Sequence, residues 1–238
     1  MAQILFSCAA ELFTTFPALT VNALRVTGLQ AAMAKANATA FLAEAVNACT
    51  IDPERVAEDE QVVAWREAYG LMGVKPSKFR SSIEALLRRA AKKGELAIPV
   101  PAVNFYNACS IRTKAPMGAY DIDRLGAGNH LELRKSRPAT DIFDPLGGEA
   151  SAFPLNSNLV VYAEVDAVLC WGFNCRDSKQ ACLTEHSDSA VFFSEAAMAI
   201  HQKPANQALS LMREKLLALG ADCGDVQVAD AAKQSISL

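Results

Sequence analysis

The stretch Pro101–Leu125, PAVNFYNACSIRTKAPMGAYDIDRL, constrains this chain more than any other. Proline fixes φ and lacks an N–H, and glycine accepts φ > 0. Ala115-Pro116-Met117-Gly118 therefore predicts a tight, shaped turn. An extended run, Ile98–Pro101, leads in to a compact mixed segment holding Asn104, Asn107 and Cys109, and Asp121-Ile122-Asp123 closes the stretch. Small residues beside such a turn leave backbone N–H and C=O groups free to read a small ligand.

The flanks separate into two kinds of pattern. Ile4–Ser7 and Leu19–Val26 read as strands, the second alternating and ending at Gly28. Gln30–Cys49 is Ala-rich and free of Gly and Pro, which predicts one helix. Asp52-Pro53 predicts an N-cap and first helical residue, with that helix stopping at Gly70 before a loop to Pro76. Ser81-x-x-Glu84 is a capping box that opens a helix over Ser82–Lys93, with Gly94 at its end.

Beyond the central stretch, short strands are predicted at Leu131–Leu133, Asp141–Phe143, Leu159–Val165, Ala167–Trp171, Ala190–Ser194 and Val226–Val228, with a Gly147-Gly148 turn. Pro204–Leu219 reads as an amphipathic helix opened by its proline and closed by Gly220. Helices lead and strands follow, so the expectation is α+β with a mixed or antiparallel sheet. We read one domain over 1–238, with a helical part at about 30–94 and a core at about 98–200.

Composition bounds the function. The net charge of −3 over 238 residues gives no global attraction to nucleic acid, so DNA is not an expected partner and any RNA contact must be local. Seven cysteines without a framework predict reduced thiols and a cytoplasmic protein. No apolar run reaches the ~18 residues of a membrane span, and the apolar N-terminus lacks a basic start, so it reads as a strand. Cys170, Cys175, Cys182 and His186 give C-x4-C-x6-C-x3-H, a spacing tied to no zinc finger; cysteines on an apolar strand read as packing, so no metal and no cofactor is expected. Ser110, Ser157 and Ser178 lack a nucleophile-elbow context, and Cys109 reads as packing.

Several motifs carry a resemblance. V-N-x-x-N at 103–107 followed by A-P-M-G-A-Y-D-I-D-R-L is similar to the core of the B3/B4 domain of the phenylalanyl-tRNA synthetase β subunit. W-R-x-x-Y at Trp65–Tyr69, G-V-K-P-S-K-F-R-S-S at Gly73–Ser82, E-A-L-L-R-R at Glu84–Arg89, E-V-D-A-V-L-C at Glu164–Cys170 and N-x-R-D-S at Asn174–Ser178 resemble free-standing relatives of that domain. In the synthetase the domain edits, removing tyrosine wrongly attached to the phenylalanine tRNA.

The resemblance implies an aminoacyl-tRNA deacylase working in trans, with aminoacylated tRNA as partner. The alternative is a non-catalytic module that binds a free amino acid or similar small ligand. The implied ligand site is Asn107, Pro116, Met117, Gly118 and Asp166. Asn107 stands where the synthetase also has asparagine, and Asp166 is a candidate for its tyrosine-reading carboxylate, beside Glu164. Gly118 stands where the synthetase has histidine, and Ser187 and Asp188 stand where it has threonine, so the chain departs from the tyrosine-editing pattern at both places.

Lys78, Arg88, Arg89, Lys92 and Lys93 share one side of a helical wheel, which suits phosphate binding. The same residues also suit a solvated face whose late cations meet the negative end of the helix dipole. Asp121-x-Asp123 reads as a pair that satisfies turn amides.

Overall fold

The structure, a computed structural model, describes residues 3–126 and 128–238. Its first half runs β1 (Leu5–Cys8), α1 (Leu12–Thr15), β2 (Thr20–Thr27), α2 (Leu29–Lys35), α3 (Ala38–Ala48), α4 (Glu60–Leu71), α5 (Ser82–Ala91) and α6 (Pro101–Thr113). The second half runs β3 (Gly118–Asp121), β4 (His130–Lys135), β5 (Ile142–Phe143), β6 (Val160–Glu164), β7 (Ala167–Trp171), β8 (Arg176–Asp177), β9 (Ala190–Ala196), α7 (Ala199–Ala218), β10 (Asp222–Cys223), β11 (Gln227–Ala229) and β12 (Ser235–Ser237). The fold class is α+β, as the order of patterns predicts.

Two sheets form. One has the order β12-β1-β4-β6-β7-β5, with β8 on β7; the other has β10-β2-β9-β3, with β11 on β2. Pairings are antiparallel except β1 with β4 and β5 with β7. Strand period decides how they stack. On β9, Val191 and Phe193 enter the core shared with Phe6, Leu133, Tyr162 and Trp171 of the first sheet. Ala190 and Phe192, on the opposite face, pack with Phe105 of α6 and Leu209 and Met212 of α7. The second sheet is thus buried on both faces, and all seven residues of β9 are buried.

Four sequence expectations change. Gln30–Cys49 is two helices, because the Asn37 side chain accepts from the Ala40 N–H at 3.0 Å and starts a new helix; the Ala-rich reading overlooked a cap. The α4 cap is Asp59, whose carboxylate accepts from Gln61 N–H at 3.0 Å, while Asp52 closes only a local turn on Glu54. The segment after Ile98–Pro101 is a 13-residue helix, α6, with Pro101 at its first position and Val100 extended before it. The prolines that suggested an extended run are a helix lead-in, held by Asn104, which hydrogen-bonds both N–H and C=O of Ile98 at 2.9 and 2.8 Å. Finally, α7 begins at Ala199, so Pro204 lies inside it. Proline cannot donate to the carbonyl four residues back, and that carbonyl, Ile200 O, accepts from the Gln61 side chain at 3.4 Å instead.

Other expectations hold. Ser81 Oγ caps α5 by accepting from Glu84 N–H at 3.3 Å. Strands β6 and β7, which pair with each other, and the Gly147-Gly148 turn, at φ 80° and 84°, form where the sequence predicts them.

Candidate functional site

Where the two sheets face each other, the start of α5 and the turn after β7 close off a chamber of about 30 Å³. Its wall combines Tyr120 of β3, Tyr162 of β6, Cys170 of β7 and Glu195 of β9 with Asn174 and Asp177. It adjoins a wider basin of about 430 Å³, and Ser82, Met117 and Asp177 line both spaces. Leu86, Leu96, Ile98, Val103 and Tyr106 give the basin an apolar side, while Arg89, Asn107 and Arg176 give it polar positions.

Glu195 is the electrostatic centre. It follows Val191 and Phe193 on the inner face of β9 and is 2% exposed. Asn174 Nδ2 donates to its carboxylate at 2.7 Å, and the Tyr162 hydroxyl donates at 3.3 Å. Burial pushes its pKa up to about 7, against the opposing pull of those hydrogen bonds. Asn174 is itself clamped: its Oδ1 accepts from Ser82 N–H at 3.0 Å and lies 3.3 Å from the Tyr69 hydroxyl, which donates to Gly172 O at 2.7 Å. Burial also raises the Asp177 pKa, partly offset by a hydrogen bond with Cys170 and by Arg176. The Cys170 thiol is driven well above its usual value by burial, and Cys175 is raised to about 12 by the same cause. Both are thiols at neutral pH, not nucleophilic thiolates.

Of the ligand residues expected from sequence, Asn107 and Met117 line the basin, and Met117 and Gly118 line the chamber. Pro116 sits behind them, its carbonyl accepting from Ser194 Oγ at 2.7 Å. Asp166 lies in the exposed β6–β7 turn, where its carbonyl accepts from Ile142 N–H, and it lines neither space. The inward carboxylates are Glu195 and Asp177. The N-x-R-D-S motif held Asn174 and Asp177 in view without a role, and the even spacing from Val191 through Phe193 to Glu195 was the signal for Glu195.

The basic residues divide. Arg88 Nε donates to Glu84 at 2.9 Å, beside Arg66, which binds the same carboxylate at 2.9 and 2.7 Å. Lys93 Nζ donates to Val46 O, Asn47 O and Cys49 O at 2.7, 3.0 and 2.6 Å, capping the end of α3. Lys78 lies 5.0 Å over the Phe79 ring, Lys92 is exposed, and Arg89 reaches Glu95 O at 3.0 Å while lining the basin. Asp121 takes the turn amide of Asp123 at 3.0 Å, as read from sequence. Among the described residues, no three His, Cys, Asp or Glu side chains are grouped to hold a metal ion, and no helix is long and apolar enough to cross a membrane.

The α+β fold thus encloses a polar chamber behind an apolar basin. The chain belongs to the B3/4 domain family, whose model matches residues 64–216. Among solved structures it is similar to an N-terminal fragment of the phenylalanyl-tRNA synthetase β-subunit from Pyrococcus horikoshii, at 9% identity and a TM-score of 0.43, over 92% of this chain and 49% of that one. The chain thus spans about half the length of that fragment. No curated protein matches it.

Proposed function

We propose that this B3/4 module receives the aminoacyl end of a charged tRNA and hydrolyses its ester in trans. The observation that carries the reading is the two-compartment cavity inside the matched family segment, with Asn107, Met117 and Gly118 on its walls. The basin is wide enough for an aminoacyl group, and Arg89 and Arg176 offer cations to nearby phosphate. Lys78 and Lys92 extend that basic surface in this reading, whereas Arg88 and Lys93 serve the fold first. With Cys170 and Cys175 held as neutral thiols, the chemistry rests on a placed water rather than a protein nucleophile. The test is deacylation of a panel of mischarged tRNAs by the purified protein. Loss of ester faster than in buffer for at least one member is expected; rates equal to buffer on every member defeat the reading.

Gly118, which leaves the chamber wall without an imidazole, favours a second reading, a module that binds a free amino acid without turnover. Thermal-shift screening with amino acids separates the two. Binding stabilises the folded state by about 2.7 kcal/mol at a hundredfold excess over Kd, so a shift without deacylation selects this reading.

A further inference from the structure

We propose that the inner chamber is a receptor for a ligand ammonium group, so that the site takes a primary amine head-first with its apolar body in the basin. This rests on the reading of the cavity as a ligand site and deepens it by naming the group recognised.

Size comes first. A space of about 30 Å³ matches a single water, whereas a cavity of about 150 Å³ is what admits a benzene ring. An ammonium group has one heavy atom, as water does, and fits; a phenol ring does not.

Charge comes second. Glu195 and Asp177 both line this chamber, and no Lys, Arg or His does among the described residues. A buried carboxylate without a cation is costly, and the donors Asn174 and Tyr162 are neutral. Arg176 stands on the basin side, not in the chamber.

Hydrogen bonding comes third. The Ser82 hydroxyl oxygen is buried without a partner among the described residues, although Ser82 lines both spaces. Buried polar atoms are rarely left unmatched. An ammonium group carries three donors and no acceptor, and this wall offers Glu195, Asp177 and Ser82 Oγ as acceptors. A carboxylate or phosphate in the same place would face two carboxyl groups and, among the described residues, no cationic donor.

The basin fits the remainder. Leu86, Leu96 and Val103 line it, so a hydrocarbon chain leaving the ammonium has apolar surface to cover. The ammonium is either the α-amino group of an aminoacyl ester or the terminal amine of a longer side chain.

The experiment is calorimetric titration of the intact chain with L-leucinamide and N-acetyl-L-leucinamide, then with L-lysinamide acetylated at either Nα or Nε. Leucinamide is expected to bind at least tenfold more tightly than its acetylated form, and the lysinamide pair shows which ammonium is held. Glu195→Gln, checked for a cooperative unfolding transition, is expected to erase that preference, and Asp177→Asn to weaken it if Glu195→Gln does not fold. Equal binding of leucinamide and its acetylated form, or an unchanged preference in a folded Glu195→Gln, overturns the ammonium receptor while leaving the cavity a ligand site. Absence of binding by all four compounds overturns both.

Discussion

Asn174 donates to Glu195 at 2.7 Å, and through this bond the turn after β7 holds a carboxylate at the centre of a two-sheet core. The carboxylate is held at a stability penalty that depends on pH. Its folded pKa, about 7, exceeds the ordinary carboxyl value of 4.5, so between the two the folded state keeps a proton that the unfolded state has lost. The contribution of Glu195 is fully present below the lower value and is lost as pH rises through the upper one.

Glu195→Gln is therefore expected to be more stable than the parent protein by on the order of 3 kcal/mol at about pH 8.5, with the gap closing below about pH 4.5. Urea unfolding of both proteins across that range measures it. His201 has the opposite slope, since burial lowers its pKa to about 4 and its stabilisation appears as pH rises from there to 6.5. That contribution is common to both proteins and cancels in the difference. A gap that does not change with pH would mean that Glu195 is not buried as an ionisable group.

Gly118→His is expected to fold. Among the described residues nothing lies within 4 Å of where a Cβ at Gly118 would sit, and its φ lies outside the left-handed region. The stability change should stay within about 1 kcal/mol, and the added ring should alter which ligand the cavity takes. Unfolding and ligand binding measured on one preparation check both parts. Unchanged binding across amino acids and charged tRNAs would place Gly118 outside any working site.

Lys93→Ala is expected to destabilise by about 1 kcal/mol, because the ammonium that meets the end of α3 is removed while its carbonyls gain water. Chemical denaturation reads this directly. Lys92→Ala, at an exposed neighbour, should leave stability unchanged. Any fall in RNA affinity shared by the two is then electrostatic, and a fall confined to Lys93→Ala reports the loss of the α3 cap.

Glu84→Gln is expected to cost on the order of 1–3 kcal/mol and to flatten the acid side of the stability curve. Burial acts to raise the Glu84 pKa, but hydrogen bonds from Arg66 and Arg88 overcome it and leave the value depressed. Stabilisation by such a carboxylate is present above its unfolded pKa and disappears as pH falls through the folded one. Denaturation of parent and variant should therefore converge in acid, and parallel acid limbs would contradict the assignment.

Much of the strand layout was legible because the period of two survives in apolar runs: Leu19–Val26 and Ala190–Ser194 became the paired β2 and β9. The α5 cap was legible because Ser81 and Glu84 are local partners. Glu195 was not, since the apolar run ends at Ser194 and the groups that hold the carboxylate, Asn174 and Tyr162, come from other strands and turns. Helix α6 was hidden by prolines whose meaning depends on position: the same residue breaks a helix inside it and opens one at its first turn. Lys93 read as a surface cation because its three carbonyl partners lie at the far end of α3, which no local pattern connects to it.

The proline inside α7 makes that helix depend on another. Gln61 of α4 supplies the donor that Ile200 O lacks, and the Gln61 carbonyl accepts from His201 Nε2 at 3.2 Å, while the His201 ring stacks on Trp65 at 4.6 Å. The same α4 carries Tyr69, which braces Asn174 at the inner chamber. Helices α4 and α7 are therefore expected to open as one unit: fraying the first turn of α7 should loosen Trp65, Tyr69 and the chamber wall together, and amide exchange at these places should share a single opening free energy.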